Sequence, residues 1–528
     1  MVDMTRPIDR LFRLATPRAD QEPPAVQPPM PPREPAPTAP PPPPAPSRAL
    51  LAPPQHADRP RGGSLISGLR HVVAGAAAQA EARLNESTIR LAVTGLTRAG
   101  KTVFLTSLIS NLLAMGAGRN TLPGLQAALE HRGSGRLRSV RVVPAGAATT
   151  PWFDHVAKLR DLAAESPSWP PRTEDVAQIA LDLEIDRGAV WQRFRWRRIR
   201  LELLDYPGEW LLDLPMLKQP FTAWSRATLD LFSQPPRNAF GTPFLEFLRA
   251  VDPDAPADDA LIRRGHELYR AALQACREKA GLRYLQPGRF VAPGARADAP
   301  YMWFFPLDQS RDPPLPGSNA ALLRDRYDAY RTEVRTQFFD RHFTQFDRQI
   351  VLVDVLGALH AGRQAFEDTA RAIGEIAGGL AYDNGSRMPF RPRRITRVAF
   401  AATKADHVPA LRRENLVHLV RALAGGVGAG VPATTHAVAS VLATNDGKIT
   451  VAGRPVEVVL GLPLGETTQR PFYPGDVPSG LPPESFWSDR YFELPVFTPP
   501  RVDASGVAGI PHLGLDAVLT ALLKDLLA

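Results

Sequence analysis

Residues Gly95-Leu96-Thr97-Arg98-Ala99-Gly100-Lys101-Thr102 follow the spacing G-x-x-x-x-G-K-[ST]. Small residues at Gly95, Ala99 and Gly100 let the backbone wrap a phosphate, with successive N–H groups turned inward. Lys101 supplies a point charge at the β- and γ-phosphates, and Thr102 a hydroxyl for Mg²⁺. Val103 opens the following helix, whose positive end faces the same anion. Arg98 sits where a small residue is common in such loops. Either its guanidinium reaches the phosphates as a built-in arginine finger, or it pairs with a nearby acid at the surface.

Asp205-Tyr206-Pro207-Gly208 follows the apolar run Ile199 to Leu204. A strand-end Asp205 suits Mg²⁺ held through water, and Gly208 lets its N–H approach a γ-phosphate. Glu209 comes next, where a Gln commonly orients the attacking water. A carboxylate accepts a hydrogen bond from that water but donates none to the phosphate. Repulsion from the γ-phosphate pushes Glu209 outward or raises its pKa, which predicts slow intrinsic hydrolysis. A salt bridge within its own segment is the alternative role.

Thr403-Lys404-Ala405-Asp406, directly after Val398 to Ala402, resembles a guanine-reading signature. An ionised Asp406 accepts from the N1–H and N2 amino group of guanine, a donor pair that adenine lacks. The stem of Lys404 covers one face of the base. Ala439-Ser440-Val441 ends the next apolar run, where a backbone N–H is expected for the guanine O6. Thr173 is placed to reach Mg²⁺ and the γ-phosphate, and equally to cap a helix or form a turn. The 11 His residues show no ligand spacing, and the single Cys276 has no motif around it.

These residues need a parallel sheet to hold them. Ile89 to Thr94 reads as a buried strand, and Phe104, Leu105, Leu108, Ile109, Leu112 and Leu113 recur at helical spacing until Gly116. A polar, Pro-containing stretch runs to about Arg172. Strands are expected at Val176 to Glu184, Trp196 to Leu204, Gln349 to Val355, Val398 to Ala402 and Ala437 to Leu442. Helices are expected near Gln364 to Gly378 and Ala410 to Ala424. A hairpin over Lys448 to Leu460 and a terminal amphipathic helix complete the chain. The alternation predicts an α/β, doubly wound P-loop fold with a mostly helical insertion after Gly208.

The chain has 528 residues, 55 of them proline, and a net charge of +9. Its pI is near 9.9. The basic residues are scattered, so no specific nucleic-acid partner is expected. One cysteine excludes an internal disulfide framework and fits a reducing, cytoplasmic setting. No apolar run approaches the ~20 residues of a membrane span. The expected divisions are a disordered Pro-rich region at 1–62, the first part of the nucleotide domain at 63–209 and a helical insertion at 210–346. The second part of the nucleotide domain follows at 347–445, then hairpin, loops and helix at 446–528. Ile8, Leu11, Phe12 and Leu14 among arginines suit either a short helix for peripheral contact with the inner membrane or a frayed basic tail.

From about Leu84 onward the chain resembles the YcjX family of bacterial P-loop GTPases. The resemblance rests on Leu91-Ala92-Val93-Thr94-Gly95-Leu96, on the run Asp205 to Met216, on Gln286-Pro287-Gly288-Arg289-Phe290, on Phe346 to Asp354, on Ala401 to Val408, and on Ala439-Ser440-Val441. It implies a Ras-like GTPase with large insertions that takes GTP and GDP with Mg²⁺ and acts in stress responses. The Pro-rich start lies outside that pattern. A slow molecular switch with an unidentified protein effector is the expected role. A nucleotide-dependent scaffold with negligible turnover is the alternative, and Asp406 opposes an ATPase.

Overall fold

The computed structural model describes residues 86–527 apart from 132–134, 145–149, 172–175, 187–195, 295–297, 310, 381–394, 426–430 and 489–491. Thr173, the Pro-rich region and the N-terminal amphipathic segment lie outside the described residues. Asn85–Ala528 forms one compact unit.

Seven strands form the main sheet. They are β1 (Glu86–Gly95), β2 (Leu137–Val142), β3 (Ala177–Asp186), β4 (Trp196–Asp205), β5 (Arg348–Val353), β6 (Arg397–Ala402) and β7 (Ala433–Ala437). Their order is β2-β3-β4-β1-β5-β6-β7. β4, β1, β5, β6 and β7 run parallel, while β2 and β3 are antiparallel additions at one edge. The central strands are apolar on both faces because both are covered. Ile89, Leu91 and Val93 of β1, Ile350 and Leu352 of β5, and Ala399 and Ala401 of β6 join one core. Ala92, Val351, Val353, Val398 and Phe400 join the other. The period-2 alternation of strand side chains thus splits each sequence run between two cores.

The first core is closed by α1 (Lys101–Gly116), through Phe104, Leu108 and Leu112, and by the last helix, Leu515–Leu527, through Leu515, Leu519 and Leu522. The polar, Pro-containing stretch up to about Arg172, for which the sequence predicts no element, holds α2 (Pro123–His131), β2 and α3 (His155–Ala163). β2 buries only Leu137 and Val140, so it never shows strand alternation. The strand expected over Ala437 to Leu442 lies earlier, at Ala433–Ala437. Beyond it the apolar residues are buried for other reasons. Ala439 exchanges backbone hydrogen bonds with Leu513, and Val441 packs with Leu159, Val502 and Ile510.

Between β4 and β5 the described residues form helices joined by loops, with no strand. The main elements are α4 (Phe221–Phe232), α5 (Arg237–Arg249), α6 (Asp259–Lys279) and α7 (Asn319–Glu333). They surround an aromatic centre of Trp224, Tyr269, Phe290, Phe304 and Tyr327 that is continuous with the second core. Trp224 stacks on Tyr327 with ring centroids 5.1 Å apart, and Phe290 meets Phe304 at 4.8 Å. After β5 come α8 (Val355–His360) and α9 (Arg363–Leu380), and α10 (Arg413–Leu423) follows β6. The Leu515–Leu527 helix is α11. The hairpin is β8 (Thr444–Val451) with β9 (Arg454–Gly461), to which β10 (Arg470–Phe472) adds a third strand.

Candidate functional site

Every motif stands at the carboxyl edge of the parallel strands, the edge where such sheets bind ligands. Gly95 ends β1, Asp205 ends β4, Asp354 follows β5, and Thr403 follows β6. A cavity of about 580 Å³ opens there, lined by Thr97, Arg98, Ala99, Gly100, Lys101, Thr102 and Val103. Pro170, Pro207, Glu209, Arg277 and Val291 to Gly294 complete the lining. The loop reverses through left-handed backbone at Arg98 (φ 70°) and Gly100 (φ 75°). α1 begins directly after it, with no side-chain cap and no acid in its first turn. Nothing on that helix offsets its positive end, which suits an anion in the cavity. Lys101 Nζ donates to the Gly95 carbonyl at 2.7 Å, closing the loop on itself.

Gly208 packs on the loop. A Cβ there would lie 2.6 Å from the Gly95 carbonyl carbon, so only glycine allows this approach. Glu209 is buried, and its Oε1 accepts from Thr97 N at 2.9 Å and from Thr97 Oγ1 at 2.5 Å. Its carboxylate therefore ties the 208–213 segment to the phosphate loop. Arg283 is close enough for Asp354 and Glu209 to act on its charge. Burial lowers its pKa, the two acids oppose that shift, and Arg98 adds to it.

Asp205 is 1% exposed and Thr102 8%. Asp205 lies level with Val93 in the β1–β4 register, two residues before the loop begins. A carboxylate and a hydroxyl are hard oxygen donors suited to Mg²⁺. Among the described residues no group of three His, Cys, Asp or Glu forms a metal cage.

The cavity lining does not include the 403–406 and 439–441 segments, which stand on the next strands of the same edge. Thr403 N donates to the Val353 carbonyl at 3.0 Å. Lys404 has φ 60°, and its Nζ donates to Asp354 Oδ2 at 2.6 Å. Asp406 is 2% exposed. Its Oδ2 accepts from Ala443 N at 2.9 Å and Thr444 N at 3.2 Å. These bonds orient the carboxylate without exhausting the lone pairs of its two oxygens. Ala439 N donates to the Leu513 carbonyl at 2.9 Å, so that N–H is committed within the fold. Ser440 is half-buried and Val441 buried beside it.

Sequence reasoning missed the far wall of the cavity. Arg277 and Val291 to Gly294 come from the helical segment, where helical spacing marks only the buried face. One signal was present: Gln286 to Phe290, a string of the resemblance with no role assigned. Gln286 Nε2 donates to the Leu212 carbonyl at 2.6 Å, and Gly288 N donates to Asp213 Oδ1 at 2.6 Å. A Cβ on Gly288 would overlap the Glu209 carbonyl. Trp210 Nε1 donates to the Ala292 carbonyl at 2.7 Å, and the Arg289 guanidinium lies 4.3 Å from the Trp210 ring.

Residues 89–527 match the family described as YcjX-like family, DUF463. The chain is 37% identical over 454 residues to the Ras-like GTPase YcjX of Escherichia coli, covering 83% of this chain and 95% of that protein. It is 33% identical over 471 residues to the Ras-like GTPase YcjX of Shewanella oneidensis, covering 84% and 95%.

Proposed function

The chain belongs to the YcjX-like family, and from that premise we propose that it is a Mg²⁺-dependent GTP-binding protein that hydrolyses GTP to GDP and phosphate. The observation that carries the reading is the cavity at the carboxyl edge of the sheet, with the 97–103 loop as one wall. In this reading the loop N–H groups and Lys101 hold the β- and γ-phosphates, and Lys101 exchanges the Gly95 carbonyl for them. Thr102 and Asp205 would hold Mg²⁺, which would supply positive charge to the phosphates during hydrolysis. Thr173 is the further hydroxyl expected at the ion. Asp406 reads the guanine N1–H and N2 amino group beside the Lys404 stem. With Ala439 N–H committed, the guanine O6 falls to the backbone of Ser440 or Val441.

During hydrolysis the water oxygen bonds to the γ-phosphorus. The bond from that phosphorus to the β–γ bridging oxygen breaks, its electron pair stays on GDP, and a proton passes to solvent. Gly208 N–H orients the γ-phosphate. Glu209 is held by Thr97 through Oε1 and accepts from the water through Oε2 or after releasing Thr97, and as a carboxylate it donates nothing to the phosphate, which supports slow intrinsic turnover. The same bonds favour the second reading, a nucleotide-dependent scaffold with negligible turnover, and single-turnover hydrolysis separates the two. A switch role in a bacterial stress response follows the family resemblance, and growth of a deletion strain under stress is its check. Among the described residues no helix is long and apolar enough to cross a membrane.

The primary test is Lys101→Ala examined by calorimetry. Loss of nearly all GTP and GDP binding in a folded variant is expected, and unchanged affinity would refute the phosphate-loop assignment.

A further inference from the structure

Arg277 lies in the last turn of α6, remote in sequence from the phosphate loop, yet it lines the same cavity. Its Nη1 donates to the Val291 carbonyl at 2.9 Å and its Nη2 to Glu278 Oε1 at 3.1 Å. The Glu278 side chain is 66% exposed, so water competes for that second bond. A phosphate oxygen, more highly charged and less hydrated inside the cavity, is a stronger partner. Arg283 Nη1 donates to the Arg277 carbonyl at 3.4 Å, and the preceding Cys276 is fully buried. The backbone beneath the guanidinium is therefore fixed while its head is exchangeable.

Two further observations give the side chain a direction and a purpose. Val291 to Gly294, whose Val291 carbonyl accepts from Arg277, is bonded to the 208–213 segment through Trp210 and Ala292. Glu209 of that segment and Pro207 just before it line the same cavity. This is the end of the site where a γ-phosphate meets Gly208. The charged lining residues are Arg98, Lys101, Arg277 and Glu209. Glu209 is an acceptor and is held by Thr97, so it gives the transferring phosphate no hydrogen-bond donor. Arg98 and Lys101 both come from the loop side. Arg277 is the cation on the opposite wall, and its planar fork suits two phosphate oxygens at once.

We propose that Arg277 is a catalytic residue delivered in cis by the helical segment, donating to γ-phosphate oxygens as charge builds on them. It keeps its proton throughout, and the bonds made and broken are those of the hydrolysis above. The proposal rests on the GTP reading and deepens it.

The test compares the full-length wild type with Arg277→Ala and Arg277→Lys. Three readouts are GDP affinity, trapping of aluminium fluoride by the GDP–Mg²⁺ complex, and single-turnover GTP hydrolysis. Thermal melting checks that the variants are folded. The expected result is retained GDP affinity in all three proteins, with aluminium fluoride trapping lost in Arg277→Ala. Its hydrolysis should fall by roughly 10³-fold, the scale of an arginine finger. Arg277→Lys keeps the charge but loses the fork, and should stay slow. Trapping and hydrolysis at wild-type levels in a folded Arg277→Ala would overturn the proposal. So would a wild type that binds GDP yet neither traps fluoride nor hydrolyses GTP. A wild type that binds no guanine nucleotide would instead refute the GTP reading beneath it.

Discussion

Asp406 faces two ways. One oxygen takes backbone N–H groups from Ala443 and Thr444, while the base-reading role asks the same carboxylate for acceptors toward guanine. Asp406→Asn separates these demands. Its carbonyl oxygen can stay on the loop while its amide turns toward the base, meeting the C2 carbonyl of xanthine instead of the guanine amino group. GTP should bind more weakly and xanthosine triphosphate more tightly, as read by competition against labelled GDP. Wild type binding ATP as well as GTP would defeat the guanine assignment. Glu209 shows a bond that sequence spacing does not reveal: its carboxylate is anchored to Thr97 on the loop itself. The G-x-x-x-x-G-K-[ST] loop was legible because its chemistry is local in sequence. Arg277 was not, because its bond to Val291 and its place in the cavity that the loop also lines arise only through tertiary packing.

At the level of elements, all six residues of the 208–213 turn are buried. Asp213 holds it in place, accepting from Gly288 N and from Tyr330 OH at 2.6 Å each. Burial raises the Asp213 pKa from 3.8 to about 6, although the bonds from Tyr330 and Gly288 and the charge of Arg289 oppose the shift. The folded chain then binds more protons than the unfolded chain between about pH 4 and pH 6. Stability should fall as pH rises through that window and level off above it, by at most roughly 3 kcal/mol. Asp213→Asn should flatten this part of a urea-denaturation profile measured against pH, and an unchanged slope would assign the dependence elsewhere. The parallel strands were readable as apolar runs because both faces are covered. α2, β2 and α3 were not: β2 is a short edge strand with arginines at 138 and 141. The 437–442 run was mistaken for sheet because burial against a late loop gives the same apolar composition as burial between strands.

Across the whole molecule, the last helix is part of the nucleotide site's foundation. Leu515, Val518, Leu519, Leu522 and Leu523 share a core with Phe104 and Leu108 of the helix behind the phosphate loop. Asp516 accepts from Gly124 N at 2.6 Å and Leu125 N at 2.9 Å, and Arg348 Nη2 reaches Asp525 at 2.8 Å. Five buried side chains at about 2 kcal/mol each amount to roughly 10 kcal/mol, comparable with the whole stability of a typical protein. A chain ended before Leu515 retains every motif residue, yet it should be insoluble or fail to bind GDP. A soluble truncated chain with wild-type GDP affinity would show the helix to be dispensable. The same packing sets an order in time. Asn111 behind the loop hydrogen-bonds Ile510, 399 positions later, and a ribosome releases one long before the other. The loop emerges early, but the ground beneath it arrives only with the distant Ile510 and the Leu515–Leu527 helix, so the chain carries the nucleotide signature well before the packing that holds it in place.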